Sequence, residues 1–195
     1  MTDRAHEIAE AMRLAQRAAD LGRDDAVALC SAGLTFAHVL GDLHDGNALI
    51  DRALVLNPNL GFAWLQSSWV KVWLGEPEAA IERAARAMRL SPNDPQIFQM
   101  QAGTAAAHFL AGRYAEALSW AEMSIRGQPD WTLSTFVAAA SAALAGDDAA
   151  AKKAMARLRQ STPVLRISNI SDLFPIRQPE VTQWAEGLRK AGLPE

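Results

Sequence analysis

At 195 residues, half of them hydrophobic with alanine prominent among these, the chain has ample material for a core, and its composition favours helix over sheet. A net charge of −3 supplies no global field to recruit nucleic acid or an anionic membrane. The lone Cys30 excludes an internal disulfide and no apolar run reaches the roughly 18–20 residues of a membrane span, so a soluble, cytoplasmic, all-α protein is expected.

In chain order, residues 3–21 predict a first helix with Ile8, Ala11, Met12, Ala15, Ala18 and Ala19 along one side. The turn after it places Asp24 34 residues before Pro58, a slot that proline fills later in the chain. Residues 3–24 are therefore expected to be half a repeat without its leading helix, either an N-terminal cap or a piece of a longer array. Ile8, Met12 and Leu14 among so many alanines favour the second reading, a helix buried on two sides.

From here glycine and proline punctuate the sequence at fixed intervals. Gly41 to Pro58, Gly75 to Pro92, Gly112 to Pro129 and Gly146 to Pro163 each span 17 residues, and successive glycines lie 34, 37 and 34 apart. A period near 34 predicts stacked helical hairpins, with each glycine ending a leading helix in the left-handed conformation and each proline stopping the trailing one. The trailing helices carry small-residue stripes that let partners approach closely: Gly46, Ile50, Ala53; Ala80, Ala84, Ala87; Ala117, Ala121, Ser124; and Ala151, Met155, Leu158. The repeats are read as 25–60, 61–94, 95–131 and 132–164, with the three extra residues of the longer period assigned to a leading helix over 95–111. After them, 165–195 predicts an irregular segment, a loop between Pro175 and Pro179, and an amphipathic helix from about Pro179 to Ala191 that shields the open edge of the last repeat.

With Trp64, Ala80, Ala87 and Pro92 in the second copy and Ala117 and Pro129 in the third, the chain resembles the tetratricopeptide-repeat family. It departs from that pattern at Ser67, Lys71 and Ala84, where bulkier residues or a tyrosine are usual. The resemblance implies a right-handed α-solenoid forming a single domain over 1–195, with leading helices lining a concave, protein-binding face. The tail, Leu165 to Glu180 and Ala185 to Glu195, is also similar to the C-terminus of multidomain bacterial signalling proteins of rhizobial type, as are Gly41–Gly46 and Ala102–Gly112. There the repeats follow a class III adenylate/guanylate cyclase or a winged helix-turn-helix domain. The motifs of those domains are not found here.

Chemistry-bearing patterns are sparse. Asp42, His44 and Asp45 cluster in one turn, where helix capping competes with a metal site as the explanation; His38 and His108 sit late in leading helices; Cys30 lies in an apolar run. Arg83, Arg86 and Arg89 on a trailing helix read as a solvated face rather than a nucleic-acid stripe. No cofactor, metal or catalytic set is expected. The candidate groove residues are His38, Phe62, Leu65, Trp69, Trp73, Gln99, Phe109 and Phe136. Their apolar, aromatic character points to a peptide or helix as partner, although Trp69 and Trp73 could equally fill the core between repeats. Two functions follow: a non-catalytic protein-binding scaffold, or a homodimerisation module for a fused output domain.

Overall fold

Helix follows helix through the computed structural model, which describes residues 4–172, 175 and 179–195. In order these are α1 (Arg4–Leu21), α2 (Ala26–Leu34) continued by a π-helical turn (Thr35–Val39), α3 (Leu43–Leu56), α4 (Gly61–Trp73), α5 (Pro77–Leu90), α6 (Ile97–Leu110), α7 (Tyr114–Gly127), α8 (Thr132–Ala145), α9 (Asp148–Ser161), a 3-10 segment (Ile167–Asp172) and α10 (Glu180–Lys190). Helices α2 to α9 pair into four hairpins, each trailing helix also packs on the next leading helix, and the leading helices α2, α4, α6 and α8 touch in succession. The result is a solenoid with one continuous apolar core along its length.

The punctuating glycines explain the turns. Gly41, Gly75, Gly112 and Gly146 all adopt φ between 71° and 83°, the left-handed conformation that other residues reach only under strain. At Gly75 the amide donates to the carbonyl of Val72 and the next amide, of Glu76, donates to that of Lys71; Gly112 and Gly146 repeat the pattern, closing each leading helix on its own last carbonyls. At Gly41 the corresponding amide, of Asp42, reaches back one residue further, to Phe36, because the preceding turn is π-helical. The Asp42 carboxylate accepts from the Asp45 amide at 3.2 Å and caps α3.

The small-residue stripes are the seams of the hairpins. Ala80, Ala84 and Ala87, like Ala117, Ala121 and Ser124, are completely buried. Two of the buried hydroxyls in these seams find partners: Ser68 donates to the Ala80 carbonyl, and Ser124 bonds the Phe98 carbonyl and the Ser134 hydroxyl.

Several expectations are corrected. The three extra residues do not lengthen α6, which at 14 residues matches α8; two of them extend the 91–96 turn relative to the four-residue turns 57–60 and 128–131, and one separates α6 from the 13-residue α4. The longer turn holds itself with its own bonds, from the Asp94 amide to Ser91 and from the Gln96 amide to the Asp94 carboxylate. Helix α1 is not buried on two sides: it packs on α2 and the π turn alone, Ala15 is its one buried residue within 4–21, and Leu21 is 78% exposed. The segment after Pro163, expected to be extended or irregular, includes the 3-10 turn, which the Ile167 amide ties to the C-terminus by donating to Pro194. Residue 3 of the expected first helix and residues 176–178 of the expected proline-bracketed loop lie outside the described residues.

Candidate functional site

A groove of about 610 Å³ runs along the leading helices. Its walls come from α2 with its π turn (Leu34, His38), from α4 (Phe62, Gln66, Trp69, Trp73), from the start of α6 (Gln96, Gln99) and from the turn into α8 (Asp130–Leu133 and Phe136). On α4, Phe62, Gln66, Trp69 and Trp73 recur at i, i+4, i+7 and i+11, a single line down one helix face. The π turn sets His38 against Trp73 with ring centres 5.3 Å apart, and Trp73 in turn stacks near Trp69 at 6.3 Å. This ladder of rings forms the most aromatic part of the wall. Trp69 packs against α6 at Gly103.

The far end of the same face is covered by the chain itself. Helix α10 packs mainly on α8 and on the 3-10 segment, rather than continuing the stack beyond α9, and so shields the last repeat from the groove side. Trp184 lies flat on Phe109 of α6, with centres 3.8 Å apart and planes at 11°, and meets Phe136 of α8 at 5.2 Å. Gln183 donates to the Phe109 carbonyl at 2.9 Å, satisfying an acceptor at the end of α6. Gly187 sits so close to α8 that a side-chain carbon there would come within 3.0–3.2 Å of three Ala140 atoms, two of them backbone.

No family model matches the chain, and no curated protein matches its sequence. Among solved structures it is similar to PilW, a widely conserved type IV pilus biogenesis factor, with a TM-score of 0.74 at 14% identity over 96% of this chain and 84% of that one. It is also similar to MamA (TM-score 0.63, 16% identity, 82% of this chain and 85% of that one) and to MamA of Desulfovibrio magneticus RS-1 (TM-score 0.64, 16% identity, 80% and 86%). MamA and PilW are tetratricopeptide-repeat proteins. The chain has the tetratricopeptide-repeat fold. At these identities the likeness is one of architecture.

Within that tetratricopeptide-repeat framework the residues singled out from sequence fall into three groups. His38, Phe62, Trp69, Trp73, Gln99 and Phe136 surround the groove, although Trp69 and Trp73 are only 6% and 7% exposed and Phe136 is fully buried. Leu65 does not line it: it lies about 60–80° round α4 from the Phe62–Trp73 line and is buried in the core. Phe109 is on the groove side of α6 but is fully buried beneath Trp184. Sequence reasoning missed Gln66, Gln96, Asp130 and Trp131. Gln66 could have been found by spacing alone, since it is four residues after Phe62 and three before Trp69.

The site holds little that could carry chemistry. Burial pushes the His38 imidazole below its ordinary pKa, so it presents a neutral ring to the groove. His108 stands apart from the groove lining; its Nδ1 accepts from Arg113 at 2.9 Å, and burial followed by the Arg113 charge lowers its pKa. Arg113 also pairs with Glu78 at 3.0 Å and lowers that carboxyl, chiefly through their hydrogen bond. Cys30 is fully buried, and burial pushes its thiol up to about 12, leaving it without the thiolate character a nucleophile needs. Among the described residues no three His, Cys, Asp or Glu side chains are arranged to hold a metal ion, and no helix is long and apolar enough to cross a membrane. Two of the arginines on α5 are engaged rather than free: Arg83 and Arg86 lie over Trp64 at 5.0 and 5.9 Å, and Arg83 pairs with Asp51.

Proposed function

We propose that the chain is a non-catalytic protein-interaction module that takes an apolar peptide or helix in the groove along its leading helices. The observation that carries this reading is the wall itself: Phe62 and Trp131 are half-buried in one groove, with the nearly buried Trp69 and Trp73 and the buried Phe136 beside them, and His38 and Asp130 are its titratable groups. A surface of that kind offers ring area for hot-spot contacts and no clustered acid–base set for catalysis. Peptides selected by display against the whole chain test it. They should be rich in aromatic and aliphatic residues, and the double substitution Trp69→Ala, Trp73→Ala should weaken them by about 100-fold or more, since buried tryptophan anchors commonly contribute at least ~2 kcal/mol each. Selected peptides that bind the double variant as tightly as the parent chain would remove the groove from consideration. A role as the cytoplasmic regulatory part of a bacterial signalling protein, with a cyclase or DNA-binding output domain, rests on the sequence similarity of the C-terminal segment, Gly41–Gly46 and Ala102–Gly112 alone.

The second reading, self-association, is supported by the exposed apolar side chains of α1, where Met12 and Leu14 are each 50% exposed. Light scattering at tens of micromolar checks it (an order of magnitude set by ordinary oligomer affinities, roughly). A dimer that Met12→Glu, Leu14→Glu converts to monomer is expected, and a monomeric parent chain would eliminate it.

A further inference from the structure

The open groove and the seat of α10 are two halves of one trough. Phe136 joins them: buried between the two, it borders the groove on one side and touches Trp184 on the other. The seat continues the line of the groove along α6 and α8 through Phe109 and Ala140. What fills it is a short amphipathic helix with an indole at 184, a glycine three residues on and leucine four residues on, the i, i+3, i+4 layout by which helices dock into grooves. Trp184 and Leu188 are both essentially buried, and the Trp184 Nε1 has no hydrogen-bond partner. The seat therefore recognises ring area and close approach, not a donor.

We infer that α10 is an internal ligand: it occupies the far half of the trough, and a partner helix of the same design, with an aromatic anchor followed by a small residue and an aliphatic one, competes with it for that seat. The inference deepens the protein-binding reading by naming the partner's chemistry and a competitor built into the chain. At 11 residues α10 is too short to hold helical structure alone, so docking and folding are one event for it. Tethering gives it an effective concentration on the order of millimolar, which a free peptide at micromolar concentration does not match. A partner that enters must exceed this internal competitor or meet a chain in which it has been weakened.

The test separates the seat from its occupant. A fluorescein-labelled synthetic peptide of residues 179–195 is titrated against three full-length chains: the parent, Gly187→Val and Trp184→Ala. Both substitutions damage the tethered helix and leave the seat on α6 and α8 intact, while the free peptide keeps Gly187 and Trp184. Fluorescence anisotropy should show the peptide binding the two variants at least about 10-fold more tightly than the parent chain, in line with removal of a tethered competitor. Adding Phe109→Ala to Gly187→Val should abolish that binding, and adding Trp69→Ala should leave it. Failure of the open-groove reading would show instead in display-selected peptides that ignore Trp69 and Trp73, whatever the labelled peptide does. Equal binding to all three chains, or binding to none while the variants keep the circular dichroism of the solenoid, overturns the inference. If the variants do not fold, hydrogen exchange of the parent chain decides: amides of α10 should exchange ahead of those of α8, and exchange of both only through global unfolding overturns it.

Discussion

A Gly46→Val chain should lose its first hairpin under conditions where the later three remain folded. Helices α2 and α3 cross at Gly33 and Gly46 with almost no separation: a side-chain carbon at position 46 would lie 2.6 Å from the Gly33 carbonyl oxygen and 2.7–2.8 Å from Ala37. The reverse holds at position 33, where the Gly46 carbonyl would be 2.7 Å away and Ile50 2.8 Å. Backbone atoms cannot turn aside as a flexible side chain can, so the helices must part, and Leu29, Ile50 and Ala53, all fully buried, lose their packing. Overpacking of a tight core site ordinarily costs about 1–3 kcal/mol, and a crossing held at backbone contact falls at or above the top of that range. In a repeat array stability is a sum of local and nearest-neighbour contributions, so the damage should stay near α1–α3. Residue-resolved hydrogen exchange reads it directly: protection should collapse in α2 and α3 and persist in α6 to α8. Gly127→Ala is the matching control. Only Phe98 lies near that position, at 3.6 Å, so alanine there should be neutral or stabilising by up to ~1 kcal/mol through helix propensity. Uniform protection in Gly46→Val would show that the crossing can relax.

The second large effect is expected at Trp184. Replacing it with alanine removes a 2%-exposed indole from between Phe109 and Phe136. Large-to-small changes of a buried tryptophan cost about 3–5 kcal/mol, more than a helix of this length can recover from Gln183 and Leu188. The loss should fall first on α10 itself, with Phe109 and Phe136 uncovered and thermal unfolding beginning roughly 6–20 °C lower, at about 2–4 °C per kcal/mol for a domain of this size. Trp184→Phe, which keeps one stacked ring, should recover a large part of the difference. Calorimetry on the two variants measures both shifts, and equal midpoints for Trp184→Ala and the parent chain would show that the stack contributes nothing to stability.

The architecture was legible in the sequence because its determinants are local and periodic. A glycine that must be left-handed and a proline that must end a helix announce themselves wherever they stand, and the small residues of each hairpin seam recur at helical spacing with them. The misplaced insertion has a physical origin too: residues 91–96 contain Pro92 and Pro95, and a six-residue turn that bonds to itself leaves no periodic trace to separate it from a helix start. The π turn at Thr35–Val39 was hidden because nothing in Thr-Phe-Ala-His-Val distinguishes it from an ordinary helix end. Within the groove, choosing residues by hydrophobicity admitted Leu65 and passed over Gln66, although direction along a helix is set by spacing and not by polarity. The seat of α10 was out of reach for a different reason. Phe109 and Trp184 are 75 residues apart in sequence, and no repeat period relates them.

That distant pairing gives the molecule two unlike ends. A stack in which each layer touches only its neighbours loosens from its extremities inward. At the C-terminal extremity, Gln183 and Trp184 fasten the last segment to a helix one hairpin further in, so this end is clasped. At the other, α1 rests on a single layer with one buried residue within 4–21. The buckle that Phe109 and Trp184 make thus ties the last helix to the third repeat, whereas α1 is held by the first repeat.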